Sequence, residues 1–364
     1  MLLLYGGRSA EHDVSRVSAA AVAGALDPKR YEVTFVGITP EGRWLLAPHP
    51  GPPEDAGGLV VSGEPVALLP DPTCPRLVRL TSSQGEALGT IYPGDTGHDG
   101  IFDVVFPVLH GPFGEDGTVQ GLLELAGIPY VGPGVVGSAV AMDKVMAKRA
   151  FAAAELPMAA YLALREDDAD ANRIEAVLGF PCFVKPANLG SSIGVSKATD
   201  RASLGAALAR AYAFDEWVLV EEAIAGREIA VGVLGDVVPE ASVPGEIVPA
   251  ADFYTYEDKY LDNAATFHAP ARLSDGEASE AQRLAIEAFV ACRCDGMARV
   301  DLFLSPTRGF VVNEVNTIPG FTPISLYPRL WELSGVPYRS LVDRLIELAL
   351  ARHARRVPRV GHAR

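Results

Sequence analysis

The sequence contains no run of 18 apolar residues, few cysteines and no excess of positive charge. A transmembrane helix needs about 20 apolar residues in a row, and the apolar run Met1–Tyr5 is too short for a signal peptide. Cys74, Cys182, Cys292 and Cys294 have neither zinc-ligand spacing nor the pattern of a disulfide framework. Lys and Arg total 31 against 46 Asp and Glu, which argues against a nucleic-acid-binding face. We therefore expect a cytoplasmic protein whose partners are small-molecule substrates, with no nucleic acid and no membrane.

The chain also lacks a Walker A phosphate-binding loop, G-x-x-x-x-G-K-[ST]. Its 364 residues are enough for two or three domains. Short apolar runs typical of buried strands alternate with helical segments, which predicts an α/β fold. Met1–Tyr5 is the first such strand, and Gly6-Gly7 ends it before a helix that begins near Ser9.

Two polar residues follow predicted strands in the N-terminal third. Glu11 lies in the first turn of the first helix, where a helix N-terminus favours the polar end of a ligand. The alternative is ordinary compensation of the helix dipole. His110 follows the strand Asp103–Leu109 and precedes a glycine-rich turn and the helix Thr118–Ala126, a position from which parallel strands present ligand-facing side chains. The alternative is a hydrogen-bonded core histidine.

Residues 132–137, Gly-Pro-Gly-Val-Val-Gly, match the dinucleotide-binding string G-x-G-x-x-G. Pro133 stiffens the turn, however, and the acid expected about 20 residues later should end a strand, whereas Glu155 lies in a helical run. We therefore interpret these glycines as an interdomain turn and reject a nicotinamide-dependent dehydrogenase.

A buried lysine and the loop after it predict a phosphate site. Lys185 is the one charge in the strand Phe180–Pro186, and an apolar setting requires an anion beside it. Residues 188–196, Asn-Leu-Gly-Ser-Ser-Ile-Gly-Val-Ser, follow at once as a flexible lid whose amides would wrap phosphates. The alternative is an ordinary polar hairpin loop. A preceding helix adds Lys144 and Lys148, four residues apart.

Acids placed after the next strand suit the other end of a nucleotide. The strand Trp217–Val220 ends in Glu221 and Glu222, and Glu228 opens another strand. Carboxylates accept hydrogen bonds from an adenine amino group or from ribose hydroxyls. Asp252–Asn263 is an aromatic, charged segment, and ordered loops of this length are usually functional.

Residues 299–316 predict a β-hairpin, because two apolar runs flank the turn-forming residues 305–309. A pairing of residue 305 with residue 310 puts Asp301 opposite Glu314, with Cβ atoms about 5 Å apart. Since side chains alternate along a strand, Val312 would share a face with Glu314.

The same register puts Arg299 opposite Asn316 and collects two carboxylates and an amide oxygen on one face. Hard oxygen ligands suit Mg²⁺, which keeps several waters and shares its sites with substrate phosphates. The alternative is a solvated hairpin face with chance acidic residues.

Together these features describe an ATP-dependent site without a Walker loop, and here the sequence resembles the D-alanine–D-alanine ligase family of ATP-grasp enzymes. The segments that carry the resemblance are GGRSAEHDVS at Gly6, VLHGPFGEDGTVQG at Val108, AMDKVMAK at Ala141, VKPANLGSSIGVSK at Val184, VEEAIAGREI at Val220, SVPGEIV at Ser242, FYTYEDKYLD at Phe253, ARVDLFL at Ala298 and NEVNTIPGFTPISLYP at Asn313. They run in order over nearly the whole chain, apart from the undiagnostic region 40–100.

The resemblance implies a three-domain ATP-grasp architecture within the α/β class. An N-terminal Rossmann-like (preATP-grasp) substrate domain would span 1–138. A small central ATP-grasp domain would span 139–225, and a C-terminal ATP-grasp domain with the metal and catalytic residues 226–364. The resemblance also implies a homodimer.

ATP and metal ligands are implied as well. The nucleotide residues would be Lys144, Lys185, Lys259, Glu221, Glu222, Glu228 and Asn313. The lysines would neutralise phosphate oxygens, and Glu221 and Glu228 would contact the adenine and ribose ends. Two Mg²⁺ ions, for which Mn²⁺ would substitute, would be held by Asp301, Glu314 and Asn316.

The remaining implied residues serve the amino acids. Glu11 would accept the ammonium of the first D-alanine, in a hydrogen-bonded triad with Ser191 and Tyr260. Arg299 and the Gly320 N–H would stabilise the tetrahedral oxyanion. The other substrate contacts would be His110 beside the first D-alanine, and Lys259, Ser325 and Leu326 around the second.

The implied reaction joins two D-alanines through an acylphosphate, for peptidoglycan precursor synthesis. Relatives that make D-alanyl-D-lactate have phenylalanine at the position of Tyr260 or a rebuilt loop, so the pair Lys259-Tyr260 favours a dipeptide product. The alternatives are a D-alanyl-D-lactate or D-alanyl-D-serine ligase, a more distant ATP-grasp carboxylate–amine ligase, and a catalytically silent nucleotide-binding regulator.

Overall fold

The computed structural model describes residues 1–47, 49–50, 58–60, 62–80, 102–248 and 266–361. These residues form three β-sheets with nine α-helices packed around them. The predicted loop Asp252–Asn263, with Lys259 and Tyr260, lies outside the described residues. In the described part of the chain no helix is long and apolar enough to span a membrane.

The first sheet contains β1 (Leu2–Gly6), β2 (Thr34–Ile38), β3 (Trp44–Ala47), β4 (Glu64–Leu68), β5 (Leu77–Arg79) and β6 (Val105–Pro107). Its strand order is β5-β4-β3-β2-β1-β6. Because β1 pairs in parallel with both β2 and β6, the carboxyl ends of these three strands lie at one edge of the sheet. Helix α1 (His12–Ala25) follows β1 at that edge, so the residues just before it face the rest of the molecule.

Three helices lead from the first sheet to the second: α2 (Thr118–Ala126), α3 (Val135–Met142) and α4 (Lys144–Ala153). Helix α2 has the predicted bounds. The Gly132–Gly137 string leads into α3, and a Cβ built on Gly137 would lie 2.7 Å from the carbonyl oxygen of Arg293. The third glycine is therefore required by close packing of α3 against the C-terminal part of the chain.

The second sheet contains β7 (Tyr161–Arg165), β8 (Cys182–Pro186), β9 (Ser196–Ala198) and β10 (Trp217–Glu222), in the order β7-β10-β8-β9. Helices α5 (Ala171–Leu178) and α6 (Arg201–Tyr212) cover one face of it. Cys182 and Val184 belong to that covered core, as the apolar strand pattern predicts. Because side chains alternate along a strand, Lys185 points to the opposite face.

The third sheet contains β11 (Arg227–Gly235), β12 (Glu240–Ala241), β13 (Gly245–Val248), β14 (Thr266–His268), β15 (Gly296–Ser305) and β16 (Gly309–Asn316). Its order is β14-β13-β11-β15-β16, and β12 pairs with β11. Helix α7 (Asp275–Ala291) packs on this sheet through Leu284 and Phe289.

Helices α8 (Leu326–Leu333) and α9 (Tyr338–Gly361) join the third sheet to the first. Phe106 of β6 contacts Phe321 with ring centroids 6.0 Å apart, and both belong to one buried core with residues of α8 and α9. This shared core fixes the carboxyl edge of the first sheet against the loop that follows β16.

The β15–β16 hairpin has the predicted register at one end only. Both predicted pairs away from the turn are present, Asp301 with Glu314 and Arg299 with Asn316. At the turn, however, Ser305 pairs with Gly309 and not with residue 310. A β-bulge after Asp301 accounts for the difference, because Asn313 is an extra residue between two paired positions.

The bulge also corrects the predicted face of Val312. An extra residue shifts the alternation by one position, so Val312 is buried in the core beneath α7. Asn313 and Glu314, which are adjacent in sequence, both line the cavity described next. The prediction that Val312 shares a face with Glu314 is therefore wrong.

Candidate active site

A cavity of about 650 Å³ lies between the second and third sheets and reaches the loop after β6. Its wall includes Lys185 and Glu221 from the second sheet and Asp301 and Glu314 from the third. A larger and more open groove of about 950 Å³ is lined by none of the predicted site residues. The enclosed cavity, which the strand ends supply with charged groups, is therefore the candidate active site.

Three buried ionic groups, which we call the lysine–glutamate cluster, lie at the second sheet. Glu221 forms ion pairs with Lys185 of β8 and, at 3.1 Å, with Lys148 of α4. Burial favours the neutral acid, but the two ammonium groups outweigh it and hold the pKa of Glu221 down at about 2. Lys148 is 2% exposed, and sequence reasoning noted its spacing without assigning it a role.

The anion that Lys185 requires is thus supplied within the chain by Glu221. Burial would lower the pKa of Lys185, but the carboxylates of Glu221, Glu314 and Glu228 raise it. Two lysines against one glutamate give the cluster itself a net positive charge, and Lys185 and Glu221 of this cluster line the cavity. A surplus of this sign is suited to a phosphate group.

The predicted nucleotide residues on β10 differ in direction. Glu221 faces the cluster, whereas Glu222 Oε1 accepts hydrogen bonds from the Ala160 N–H at 2.8 Å and from Arg308 at 2.5 Å. Successive side chains of a strand point to opposite faces, which explains why the two carboxylates have different partners. Both residues nevertheless line the cavity.

The predicted lid, residues 188–196, connects β8 to β9 above the cavity. Lys144 donates a hydrogen bond from Nζ to the Leu189 carbonyl, and its backbone N–H donates to Ala187 at 3.0 Å. Ser191 and Ser192 have φ of 51° and 59°, a left-handed conformation uncommon for residues other than glycine. The lid is therefore a tightly turned segment close to Lys144.

Glu11 lies where the lid meets the first sheet. A Cβ built on Gly190 would be 3.4 Å from Glu11 Oε2, and one built on Gly111 would be 3.2 Å from the same oxygen. The carboxylate is thus close to the lid residue that precedes Ser191. Two members of the predicted triad are brought into one neighbourhood, and Tyr260 lies outside the described residues.

The hairpin carries an ordered polar face. Arg299 donates two hydrogen bonds to Asp301, at 2.8 and 2.7 Å, and Asn316 Nδ2 donates a third at 3.0 Å. Glu314 lies directly opposite Asp301 in the ladder. Within the described residues no group of three or more His, Cys, Asp or Glu forms a metal cluster, so the donors here are two carboxylates and an amide.

The charge of the cavity wall tests whether these donors fit a divalent cation. Seven carboxylates and four cationic side chains are found among the described residues of the wall. A polyphosphate would enter an excess of negative charge unless cations accompanied it. Oxygen donors from carboxylates and an amide suit Mg²⁺ or Mn²⁺, so the residues present fit such an ion.

The segment after β16, residues 317–322, is here called the Gly320 loop. A Cβ built on Gly320 would lie 2.8 Å from Ser325 Oγ, so a side chain there would require Ser325 to move, and these two predicted residues are neighbours. Ser325 Oγ accepts the Thr322 N–H at 3.0 Å. Leu326, in contrast, packs in a small core with Ala230 and Leu330.

Comparison with known proteins identifies the family. The family model for the D-ala D-ala ligase N-terminus matches residues 1–133, and the model for the D-ala D-ala ligase C-terminus matches residues 150–347. The chain belongs to the D-alanine–D-alanine ligase family.

Individual members of this family match over nearly their whole length. A D-alanine–D-alanine ligase of Geobacillus kaustophilus is 46% identical over 96% of this chain and 94% of its own. One of a Methylobacterium species is 50% identical over 98% of this chain and 92% of its own.

Solved structures give the same result for the fold, the ATP-grasp architecture with an N-terminal preATP-grasp domain. The D-alanine–D-alanine ligase of Coxiella burnetii has a TM-score of 0.82 and 34% identity, covering 99% of this chain and 96% of that one. The VanG D-Ala:D-Ser ligase of Enterococcus faecalis has a TM-score of 0.81 and 33% identity, covering 96% and 98%.

In this family member His110 is a buried, hydrogen-bonded histidine. Nδ1 lies 2.9 Å from the Ile318 carbonyl oxygen, and Nε2 lies 3.2 Å from Ser18 Oγ. Burial lowers the pKa of His110, against the attraction of Glu11. The structure favours the core alternative, because both ring nitrogens are occupied.

Sequence reasoning missed Glu115, which also lines the cavity of this ligase-family chain. Burial, and then the charge of Glu11, raise the pKa of Glu115 to about 7. The signal that could have found it is its place among the glycines of the turn after His110, within a segment that carries the family resemblance.

Proposed function

We propose that this protein joins two D-alanines into D-alanyl-D-alanine and converts ATP to ADP and phosphate, a step that supplies peptidoglycan precursors. It is a ligase by family, and the observation that carries the proposal is the hairpin register, with Asp301 opposite Glu314 in the cavity of the lysine–glutamate cluster. That pairing puts oxygen ligands for a metal beside ammonium groups for phosphates.

The first step is phosphoryl transfer, which asks the protein mainly for position and charge neutralisation. A carboxylate oxygen of the first D-alanine attacks the γ-phosphorus, the bond to ADP breaks, and an acylphosphate forms. Lys144 and Lys185, together with Lys259, neutralise phosphate oxygens in this proposal. Glu221, Glu228 and Asn313, with the backbone at Glu222, contact the nucleoside.

The metal ligands in this proposal are Asp301, Glu314 and Asn316. They would hold two Mg²⁺ ions, and we expect Mn²⁺ to substitute. The ions supply charge neutralisation for the polyphosphate. In the structure Arg299 neutralises Asp301 at 2.7 Å, and a metal ligand role for Asp301 would release Arg299 toward the reacting carbonyl.

The second step is attack by the amine of the second D-alanine on the acylphosphate carbonyl. A tetrahedral intermediate forms, the amine loses a proton, and phosphate leaves. Arg299 and the Gly320 N–H stabilise its oxyanion, a contribution of about 3–4 kcal/mol for each donor. Ser325, Lys259 and Leu326 receive the second substrate in this proposal, the last as packing.

In this proposal Glu11 accepts the ammonium of the first D-alanine, and His110 lies near the carboxylate of Glu11. The proximity of Glu11 to Gly190 supports a triad with Ser191 and Tyr260 that closes the lid. A closed lid excludes water, which would otherwise hydrolyse the acylphosphate.

Three coarser expectations belong to the same proposal. The chain divides into domains at 1–138, 139–225 and 226–364. It acts as a homodimer. Because its substrate is ATP, the reaction takes place in the cytoplasm.

The test is ATP-dependent phosphate release with D-alanine, D-serine, D-lactate and L-alanine as separate second substrates, with chromatography of the products. D-alanyl-D-alanine is expected as the main product at neutral pH. The D-Ala:D-Ser ligase among the similar structures makes D-serine the second candidate. Greater release with D-lactate than with D-alanine would overturn a dipeptide product.

Metal dependence is tested with a chelator and with Glu314→Gln. EDTA should abolish turnover, and Mg²⁺ or Mn²⁺ should restore it. The variant should fold yet lose about 100-fold or more in kcat, because a carboxamide binds a hard cation poorly. Glu287→Gln, in the exposed ion pair with Arg283 on α7, is the matched control and should retain wild-type turnover. Near wild-type turnover in Glu314→Gln would remove the metal assignment.

A further inference from the structure

Glu115 joins two segments that are distant in sequence. Its Oε1 accepts the Gly111 N–H at 2.7 Å, within the turn between β6 and α2. Its Oε2 accepts the Ile318 N–H at 3.1 Å and the Thr317 hydroxyl at 3.2 Å, both from the Gly320 loop. One carboxylate thus connects the N-terminal part of the chain to the loop that carries the oxyanion donor.

In the described residues the Gly320 loop has other anchors, which are two hydroxyl groups and one imidazole. The Phe321 N–H donates to Ser18 Oγ at 3.1 Å, and the Phe321 carbonyl accepts the Tyr338 hydroxyl at 2.7 Å. His110 binds the Ile318 carbonyl oxygen. Gly320 therefore lies between two residues whose backbone groups are fixed, and on the side of Ile318 the anchors are the carboxylate of Glu115 and the imidazole of His110.

The chemistry of these contacts requires an acceptor. Backbone N–H groups only donate, and an ionised carboxylate has about four acceptor positions and no donor. A glutamine at the same position would present an NH₂ group to one of the two N–H groups and leave that pair of donors facing each other. Glu115 is therefore matched to its partners as an anion.

We propose that Glu115 is a positioning residue of the ligation step, which holds Thr317 and Ile318 so that the Gly320 N–H is aimed at the oxyanion. This inference rests on the proposed function. It assigns Glu115 no contact with the substrate. A displaced oxyanion donor would slow attack by the amine more than it slows formation of the acylphosphate.

The unequal slowing of the two steps gives a readout that a general loss of stability would not change. In the wild-type protein one phosphate is released for each dipeptide formed. If the second step alone is slowed, the acylphosphate has more time to react with water, and the ratio of phosphate to dipeptide rises above one. A protein that is only partly folded loses both products equally.

The experiment measures phosphate and dipeptide in the same reaction for wild type, Glu115→Gln and Asp116→Asn. Asp116 is the matched control, because it accepts hydrogen bonds from Phe113 at 2.8 Å and Thr118 at 3.0 Å and is bonded only within its own turn and helix in these contacts. Glu115→Gln should lower the kcat for dipeptide about tenfold or more and raise the phosphate ratio, with the KM for ATP unchanged within about twofold. Asp116→Asn should keep a ratio of one.

Thr317→Val provides a second variant that preserves side-chain volume and removes one donor to Glu115 Oε2. It should show the same uncoupling to a smaller extent. A phosphate ratio of one in both folded variants would overturn the positioning role. Failure of the proposed function would look different, since wild type itself would then release no phosphate in response to D-alanine.

Discussion

Glu221 and Glu115 are two carboxylates on the wall of one cavity, and their surroundings have opposite effects. Glu221 lies between Lys148 and Lys185, and its pKa is lowered to about 2. Glu115 is surrounded by N–H and hydroxyl donors but faces the carboxylate of Glu11, and its pKa is raised to about 7. Both are desolvated, so the difference comes from the sign of the nearest full charge.

The comparison shows how one site assigns different tasks to one residue type. Glu221 pairs with two cations, Lys148 and Lys185. Glu115 accepts hydrogen bonds from the two segments that it joins and stays close to protonation at neutral pH.

The largest expected effect is the loss of the anion between the two lysines. Glu221→Gln removes the carboxylate that pairs with both buried ammonium groups, which should lower the free energy of unfolding by about 3–5 kcal/mol at pH 7. Urea denaturation measures it. Because the folded pKa is depressed, the contribution of Glu221 is complete above pH 4.5 and is lost toward pH 2, so wild type and variant should converge in that window. Parallel curves would show that Glu221 carries no charge-dependent stability.

A smaller effect of opposite sign on the free energy of unfolding is expected for Glu115. Because the pKa of Glu115 is raised, wild type should lose stability between pH 4.5 and about 7 relative to Glu115→Gln, by about 1–3 kcal/mol. Urea denaturation at pH 5 and pH 8 measures the free energies of unfolding of both proteins, and hence how the difference between them changes with pH. For Asp116→Asn the difference from wild type should be the same at the two pH values. An unchanged difference between wild type and Glu115→Gln at the two pH values would contradict the raised pKa.

The smallest effect on stability is expected for Lys148→Met, because Glu221 keeps Lys185 as its partner and Met fills much of the same volume. The free energy of unfolding should change by about 1 kcal/mol or less. ATP affinity should fall about tenfold, since a unit charge about 10 Å from a phosphate is worth about 1–2 kcal/mol. Isothermal titration with ATP and Mg²⁺ measures it, and Lys148→Arg should restore part of the affinity. Unchanged affinity in Lys148→Met would remove the role assigned to the surplus charge.

Much of this site could be predicted, because local patterns determine it. The apolar run Phe180–Pro186 predicted a strand with Lys185 beside an anion, and the structure has the strand Cys182–Pro186 with Lys185 paired to Glu221. The pairing of Asp301 with Glu314 was predicted from a pairing of residues 305 and 310 across the turn; the pair is present, but only because the bulge offsets the observed pairing of Ser305 with Gly309. The bulge at Asn313 was not predicted, since a bulge depends on how β16 packs beneath α7 and not on the turn.

Other features depended on the meeting of distant segments. Sequence reasoning assigned Glu222 to the nucleotide but did not foresee that Arg308, from the β15–β16 turn, binds its side chain. It also did not foresee that Ser18 and Ile318 would hydrogen-bond to the two ring nitrogens of His110. No local pattern predicts these partners, because they come from other sheets.

The sequence by itself determined the order of the strands and helices, the family and the positions of the acids and lysines that face the cavity. These follow from alternation, glycine turns and segments a few residues long. Only the tertiary structure decided which charged and polar groups lie next to each other. The Ile318 N–H that binds Glu115 lies 203 residues away in the chain. Lys148 pairs with Glu221 from helix α4, whereas Glu221 lies on β10. Because a pKa depends on burial and on the nearest charges in space, the opposite behaviour of Glu115 and Glu221 arises when the sheets pack together.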